Sequence, residues 1–201
     1  MPPNKSTPID NKIRCFGSHS KIYARYHDEE WGKPVYDDDH LFEMLLLESA
    51  HAGLSWELIL NKREGYRKAY DQFDYKKIAK YGEEDIERLL QDEGIVRNKL
   101  KVRCSIKNAQ VFIEIQKEFG SFSKYLWGFV NNKQIKNHWV SHGEAPTRTE
   151  LSDTISKDLE KRGMKFVGSV IIYSYLQAVG VIDDHLEGCW VRKEERKENK
   201  K

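Results

Sequence analysis

Apolar residues recur three and four positions apart along most of this chain, the spacing of one face of an α-helix. Residues 37–52, DDDHLFEMLLLESAHA, open on aspartates that suit an N-cap and stop before Gly53. Residues 54–64 follow, with Ser55 as a candidate cap. Segments 65–73, 74–81 and 83–92 read as short helices, two of them opened by acids that suit the positive end of the helix dipole. A long amphipathic helix is predicted over 97–119, ending at Gly120, and a short aromatic one over 121–130. Residues 131–148 are polar, contain Pro146 and read as a loop. Helices over 149–163 and 165–180 close the pattern, each with a glycine where a C-terminal cap belongs. The run SVIIYSY inside the last one has strand character, but its length and Gly180 favour a buried helix. No run shows a hairpin turn flanked by alternating apolar residues, so the pattern predicts an all-α protein.

One position breaks the pattern. Leu41, Met44, Leu45 and Ala52 lie on the same helical stripe as Glu48, which places a carboxylate on the face meant for the core. Glutamate is seldom fully buried without a partner, because desolvating its charge costs several kcal/mol. Tyr23, Tyr26 and Trp31 in YARYHDEEWG, with Trp56 downstream, supply aromatic rings nearby. Stacking rings around one hydrogen-bond acceptor suit a flat, electron-poor heterocycle. Core aromatics around a salt-bridged glutamate have the same sequence pattern.

Composition narrows the class. The 201 residues suit one domain, and a hydrophobic content of 39% is enough for a core. No apolar run approaches the roughly 20 residues of a membrane span. The start, MPPNKSTPIDNKIR, lacks the apolar core of a signal peptide, and the chain reads as cytoplasmic. The net charge of +2 is unevenly spread: the last eleven residues carry +3 and residues 1–13 carry +1, leaving 14–190 at −2. The expected organisation is a disordered tail over 1–13, one helical domain over 14–190, and a disordered basic tail over 191–201 that is either solvated or an aid to DNA binding. No long apolar stripe is left over, which points to a monomer.

Three cysteines are too few for a disulfide scaffold in such a compartment. Cys15 and His27 lie near one end of the domain, and His185 and Cys189 form H-x3-C near the other, a gap that one helical turn can span. Two thiolates and two imidazoles suit tetrahedral zinc with no open position, which would pin the chain ends together. Two buried cysteines with two unrelated histidines remain the alternative. Residues 92–107 carry a net charge of +3 around Gly94, with Arg97, Lys99, Lys101, Arg103 and Lys107. A hairpin there, followed by a helix start, offers backbone N–H groups to phosphate without reading sequence. An ordinary αα-corner with a solvated basic face fits equally.

Together, YHDEEWG, LESAHAGLSW, KFVG…YSYLQAVG and DDHLEGC resemble, in order from about Arg14 to Cys189, the constitutive bacterial DNA-3-methyladenine glycosylase I family of the helix-hairpin-helix superfamily. The resemblance implies an all-α glycosylase fold with one structural zinc on Cys15, His27, His185 and Cys189. It places the base-contacting glutamate on Glu48, pocket aromatics on Tyr26 and Trp56 with Trp31 and Tyr23 nearby, and the hairpin on Gly94, Ile95, Arg97 and Lys99. Three positions depart from the pattern. His51 stands where glutamine is expected. Phe16 replaces a tryptophan after the first zinc cysteine. Val96 and Arg97 stand where the commonest hairpin has its second glycine.

The implied activity is removal of 3-methyladenine from double-stranded DNA. Residues 107–119 hold no aspartate of the kind most helix-hairpin-helix glycosylases use, and no lysine sits in an evident apolar pocket. The implied enzyme is therefore a monofunctional hydrolase without a lyase step. Two rivals stand beside it: a zinc-stapled nucleic-acid-binding module, which would not need Glu48 among aromatics, and a small-molecule binder, which would not need the basic hairpin.

Overall fold

A computed structural model describes residues 9–192. Nine α-helices occupy these residues: α1 (Lys21–Glu29), α2 (Asp38–His51), α3 (Trp56–Ala69), α4 (Tyr75–Ile78), α5 (Glu83–Gln91), α6 (Lys99–Phe119), α7 (Phe122–Gly128), α8 (Glu150–Lys161) and α9 (Ser169–Ala178). Local chemistry sets most of the starts. Asp37, Ser55, Asn98, Ser121 and Thr149 each accept a hydrogen bond from a first-turn N–H of the helix they precede. Gly120 ends α6 at φ 87°, a conformation that costs a glycine little.

Helix α2 is the central element. It packs against α3, α6, α7 and α9, and every residue from Leu41 to Ala50 is buried. The expectation of a single core-facing stripe is therefore too narrow. A helix apolar on nearly all sides belongs inside the molecule. Its two buried carboxylates are Glu43 and Glu48. Glu43 is paired with Arg63 Nε at 2.8 Å and Arg67 Nη2 at 2.6 Å.

The structure corrects the sequence reading in four places. The protein is mostly helical rather than all-α: Ile135–Lys136 (β1) pairs in parallel with Ile182–Asp183 (β2). That contact spans far-apart segments, so no local alternation announces it. Helix α1 was not anticipated. Residues 65–69 continue α3 instead of opening the separate short helix expected over 65–73. A Cβ on Gly65 would lie 2.2 Å from the carbonyl oxygen of Gly94, so this glycine lets two backbones touch. His185 and Cys189 share a turn after β2 rather than a helical turn.

The ordered domain also extends beyond its expected bounds. Arg192 is 3% exposed and reaches Asp183 Oδ2 at 2.8 Å. Arg14 bridges Asp10 and Asp28, and Trp190 N donates to Ile13 O at 2.9 Å. The tails expected over 1–13 and 191–201 otherwise fall on residues 1–8 and 193–201, which lie outside the described residues. Among the described residues, no helix is long and apolar enough to cross a membrane.

Candidate active site

Glu48 lies in the wall of a cleft of about 280 Å³, lined among others by Phe16, Tyr23, Tyr26, Trp31, His51 and Trp56. Three elements build it. Helix α1 brings Tyr23 and Tyr26, the last turn of α2 brings Glu48 and His51, and the first residue of α3 is Trp56. The turn between α2 and α3 carries Gly53 at φ 77°, so the chain reverses at once and Trp56 returns beside Glu48. The Tyr26 and Trp56 rings stand 5.4 Å apart, and Phe16 packs 4.9 Å from both Tyr23 and Trp31. The structure thus brings together all five pocket residues named from the sequence.

The carboxyl of Glu48 is 3% exposed. Burial raises its pKa, and a hydrogen bond with His51, Nδ1 to Oε2 at 3.2 Å, pulls it back only in part. Burial first, and then the charge of Glu48, raise Tyr26 well above a tyrosine's usual range. Trp56 Nε1 is buried and lacks an acceptor. A poorly compensated acceptor in an aromatic cleft is what a bound heterocycle with ring N–H or amino donors would satisfy.

Sequence reasoning missed Asp184. It lines the same cleft at 3% exposure, and donors saturate its carboxylate. Asn137 Nδ2 and Trp139 Nε1 reach Oδ1 at 2.7 and 2.8 Å; Gln177 Nε2 at 2.6 Å and the Tyr173 hydroxyl reach Oδ2. Four hydrogen bonds hold this carboxylate in one orientation in the cleft wall. The signal in the sequence was the pair Asp183–Asp184 beside His185, but nothing local says that the second aspartate faces the aromatics.

Behind Trp31 lies the cysteine–histidine set. Ligand atoms of Cys15, His27 and Cys189 all fall within 4.8 Å of one another, buried, and can hold a metal ion. His27 stacks on Trp31 at 5.9 Å, so the cluster and the cleft share a wall. His27 Nδ1 donates to Asp28 Oδ1 at 2.9 Å, which leaves Nε2 toward the two sulfurs. Their mutual hydrogen bond pushes the Cys15 thiol up and the Cys189 thiol down. His185 is outside that trio but adjacent, its ring 5.0 Å from that of His27. Its Nδ1 donates to Asp183 Oδ1 at 2.8 Å, and its buried Nε2 has no hydrogen-bond partner. An orphaned imidazole nitrogen on a ring that adjoins His27, with Nδ1 engaged by a carboxylate, has the chemistry of a further metal ligand.

The hairpin between α5 and α6 is held from below. Asp92 Oδ1 accepts from Gly94 N at 2.7 Å, Tyr66 OH accepts from Val96 N at 3.1 Å, and Lys62 Nζ donates to Glu93 O at 2.6 Å. Of the four residues named from the sequence, Gly94 meets α3, and the Ile95 side chain is buried in the core, leaving only its backbone for a ligand. Arg97 and Lys99 are exposed. Asn98 caps α6 through Lys101 N, and the first-turn N–H groups of Lys99 and Leu100 have no carbonyl one turn earlier to bond. Lys101 does not join this face: its ammonium turns inward to Ala50 O and Ala52 O.

Comparison with known proteins agrees with this geometry. A family model described as methyladenine glycosylase matches residues 16–193. The DNA-3-methyladenine glycosylase of Haemophilus influenzae is 45% identical over 177 residues, covering 88% of this chain and 96% of the relative. A crystal structure of 3-methyladenine DNA glycosylase I superposes with a TM-score of 0.86 at 44% identity, covering 89% of this chain and 98% of that one. A Staphylococcus aureus 3-methyladenine DNA glycosylase I, solved for the structural basis of 3-methyladenine recognition, gives 0.86 at 40% identity over 88% of this chain and 94% of that one.

Proposed function

The chain belongs to the methyladenine glycosylase family, and from that premise we propose that it flips 3-methyladenine out of duplex DNA and hydrolyses the bond between N9 and C1′, leaving an abasic site. The observation that carries the reading is Glu48, a buried carboxylate in an aromatic cleft with no cation of full charge beside it. N3-methylation makes adenine cationic and a good leaving group. Such a base gains about 0.5–2 kcal/mol from each good ring contact with Tyr26 or Trp56 and brings Glu48 its missing opposite charge.

Among the described residues no lysine lines the cleft, so none of them places an amine to form a Schiff base, and water is the nucleophile in this reading. Glu48 binds and discriminates the base. Asp184, its carboxylate oriented in the cleft wall by four donors, favours the cation developing at C1′. The hairpin holds the backbone through its open N–H groups and through Arg97 and Lys99. The metal is zinc, held by Cys15, His27, His185 and Cys189. With four protein ligands it supplies a staple between the chain ends rather than an open coordination site. The enzyme acts as a monomer in this reading. DNA as substrate places the enzyme with the chromosome, in a bacterium the cytoplasm.

The test is release of free base from methylated duplex DNA, resolved by chromatography, for wild type and Glu48→Ala. Release of 3-methyladenine by wild type, falling by at least about tenfold in the variant, supports the reading, since that loss equals about 1.4 kcal/mol of transition-state stabilisation. No release from metal-loaded wild type would favour a binding module without catalysis.

A further inference from the structure

Lys101 stands among five basic residues that the sequence presents as one DNA-facing surface, yet its side chain runs the other way. From the first turn of α6 it crosses to the end of α2, where Nζ donates to Ala50 O at 2.8 Å and to Ala52 O at 2.6 Å. Burial lowers its pKa. The neighbouring carbonyl of His51 is already taken by Leu54 N at 2.7 Å. The ammonium therefore completes the C-terminal cap of α2, where the dipole favours a cation.

The position of that cap matters. Upstream of it on the same helix are Glu48 and His51, and four residues beyond Ala52 is Trp56, so the clasped turn sets the spacing between the acceptor and the ring of the cleft. At its other end, Lys101 N is the atom that receives the Asn98 cap at the hairpin. We infer that Lys101 is a positioning residue that ties the DNA-holding hairpin to the base cleft, rather than a phosphate contact. The inference rests on the glycosylase reading of the cleft. No loop or second helix intervenes: two hydrogen bonds join the element that grips the backbone to the turn between the two halves of the pocket. Lys101 is thus withheld from DNA, and Arg97 and Lys99 are left to carry the phosphate contacts.

Lys101→Met and Lys101→Arg separate these roles. Three quantities are measured: the single-turnover rate of base release at saturating methylated duplex, the affinity for free 3-methyladenine followed by tryptophan fluorescence, and the salt dependence of binding to undamaged duplex. Lys101→Met should lower the rate at least tenfold and weaken free-base binding, with the salt slope unchanged, and Lys101→Arg should recover part of both. A salt slope reduced by about one with the saturated rate unchanged would make Lys101 a phosphate ligand and overturn the inference. A lower melting temperature with rate, affinity and slope all unchanged would also overturn it. If Lys101→Met yields too little folded protein, Lys101→Gln carries the same comparison with one neutral donor retained. Wild type that releases no base counts against the glycosylase reading, while the free-base titration still reads the tie.

Discussion

Glu48 is costly to the empty protein. It sits at 3% exposure, its pKa is raised above the ordinary 4.5 by desolvation, and its one polar partner is a half-buried histidine. A carboxyl whose folded pKa is raised contributes stability below its unfolded pKa and loses it as pH rises through the folded value. At pH 7 the buried carboxyl is therefore a liability. Glu48→Gln should raise the melting temperature of the ligand-free protein at pH 7 by about 2–4 °C, the shift that roughly 1 kcal/mol makes in a domain of this size. The gain should shrink as the pH falls toward 4.5. The same variant should lose most of its affinity for free 3-methyladenine, measured by calorimetry. A variant both less stable at pH 7 and unaltered in affinity would mean that Glu48 is a structural partner of His51. A residue that weakens the fold while it serves a ligand is a sign of function. The sequence showed this residue plainly, because a charge on an apolar stripe breaks a strong local pattern.

At the scale of elements, what could be read in advance is what local chemistry decides. Asp37, Ser55, Asn98 and Thr149 cap their own helices, so α2, α3, α6 and α8 start where the side chains say. Helix α1 lacks such a signal. Ser20 makes no side-chain cap, and KIYARYHDE mixes charge with rings that owe their burial to the cleft. The pairing of β1 with β2 and the saturation of Asp184 depend on segments some 45 residues apart, beyond the reach of local periodicity. The need for glycine at position 65 is equally non-local: the partner that requires it is Gly94 on another element. Gly65→Ala tests that contact. A Cβ 2.2 Å from the Gly94 carbonyl oxygen must push the hairpin off α3, and overpacking of this kind costs about 1–3 kcal/mol. Duplex affinity should fall several-fold while free-base affinity, read through Tyr26 and Trp56 on the far side of α3, holds. Unchanged duplex binding would show that the hairpin grips DNA whatever its seat.

Across the whole molecule, the cleft is only as rigid as the closure of the chain ends behind it. Trp31 and Phe16 form its inner wall, and both lean on His27, whose neighbours are Cys15 from the start of the ordered chain and Cys189 from its end. Hydrogen bonds already join those ends. The main chain of Trp190 meets Ile13, its indole Nε1 donates to Asp28 at 2.9 Å, and Arg192 is anchored on Asp183. Cys15, His27 and Cys189 could add a metal ion to that closure, and the His185 ring adjoins His27 with its Nε2 unpartnered. Elemental analysis of purified protein should therefore find about one zinc per chain, the stoichiometry of a closed four-ligand structural site. Cys189→Ser should lose the ion and melt several degrees lower, at roughly 2–4 °C for each kcal/mol removed. Its folded fraction, assayed well below the transition, should still release base, because the roles proposed for Glu48 and Asp184 do not need the ion and neither residue belongs to the Cys15, His27 and Cys189 set. Normal stability with activity abolished would be the opposite result, and it would move the metal from the frame of the enzyme into its reaction.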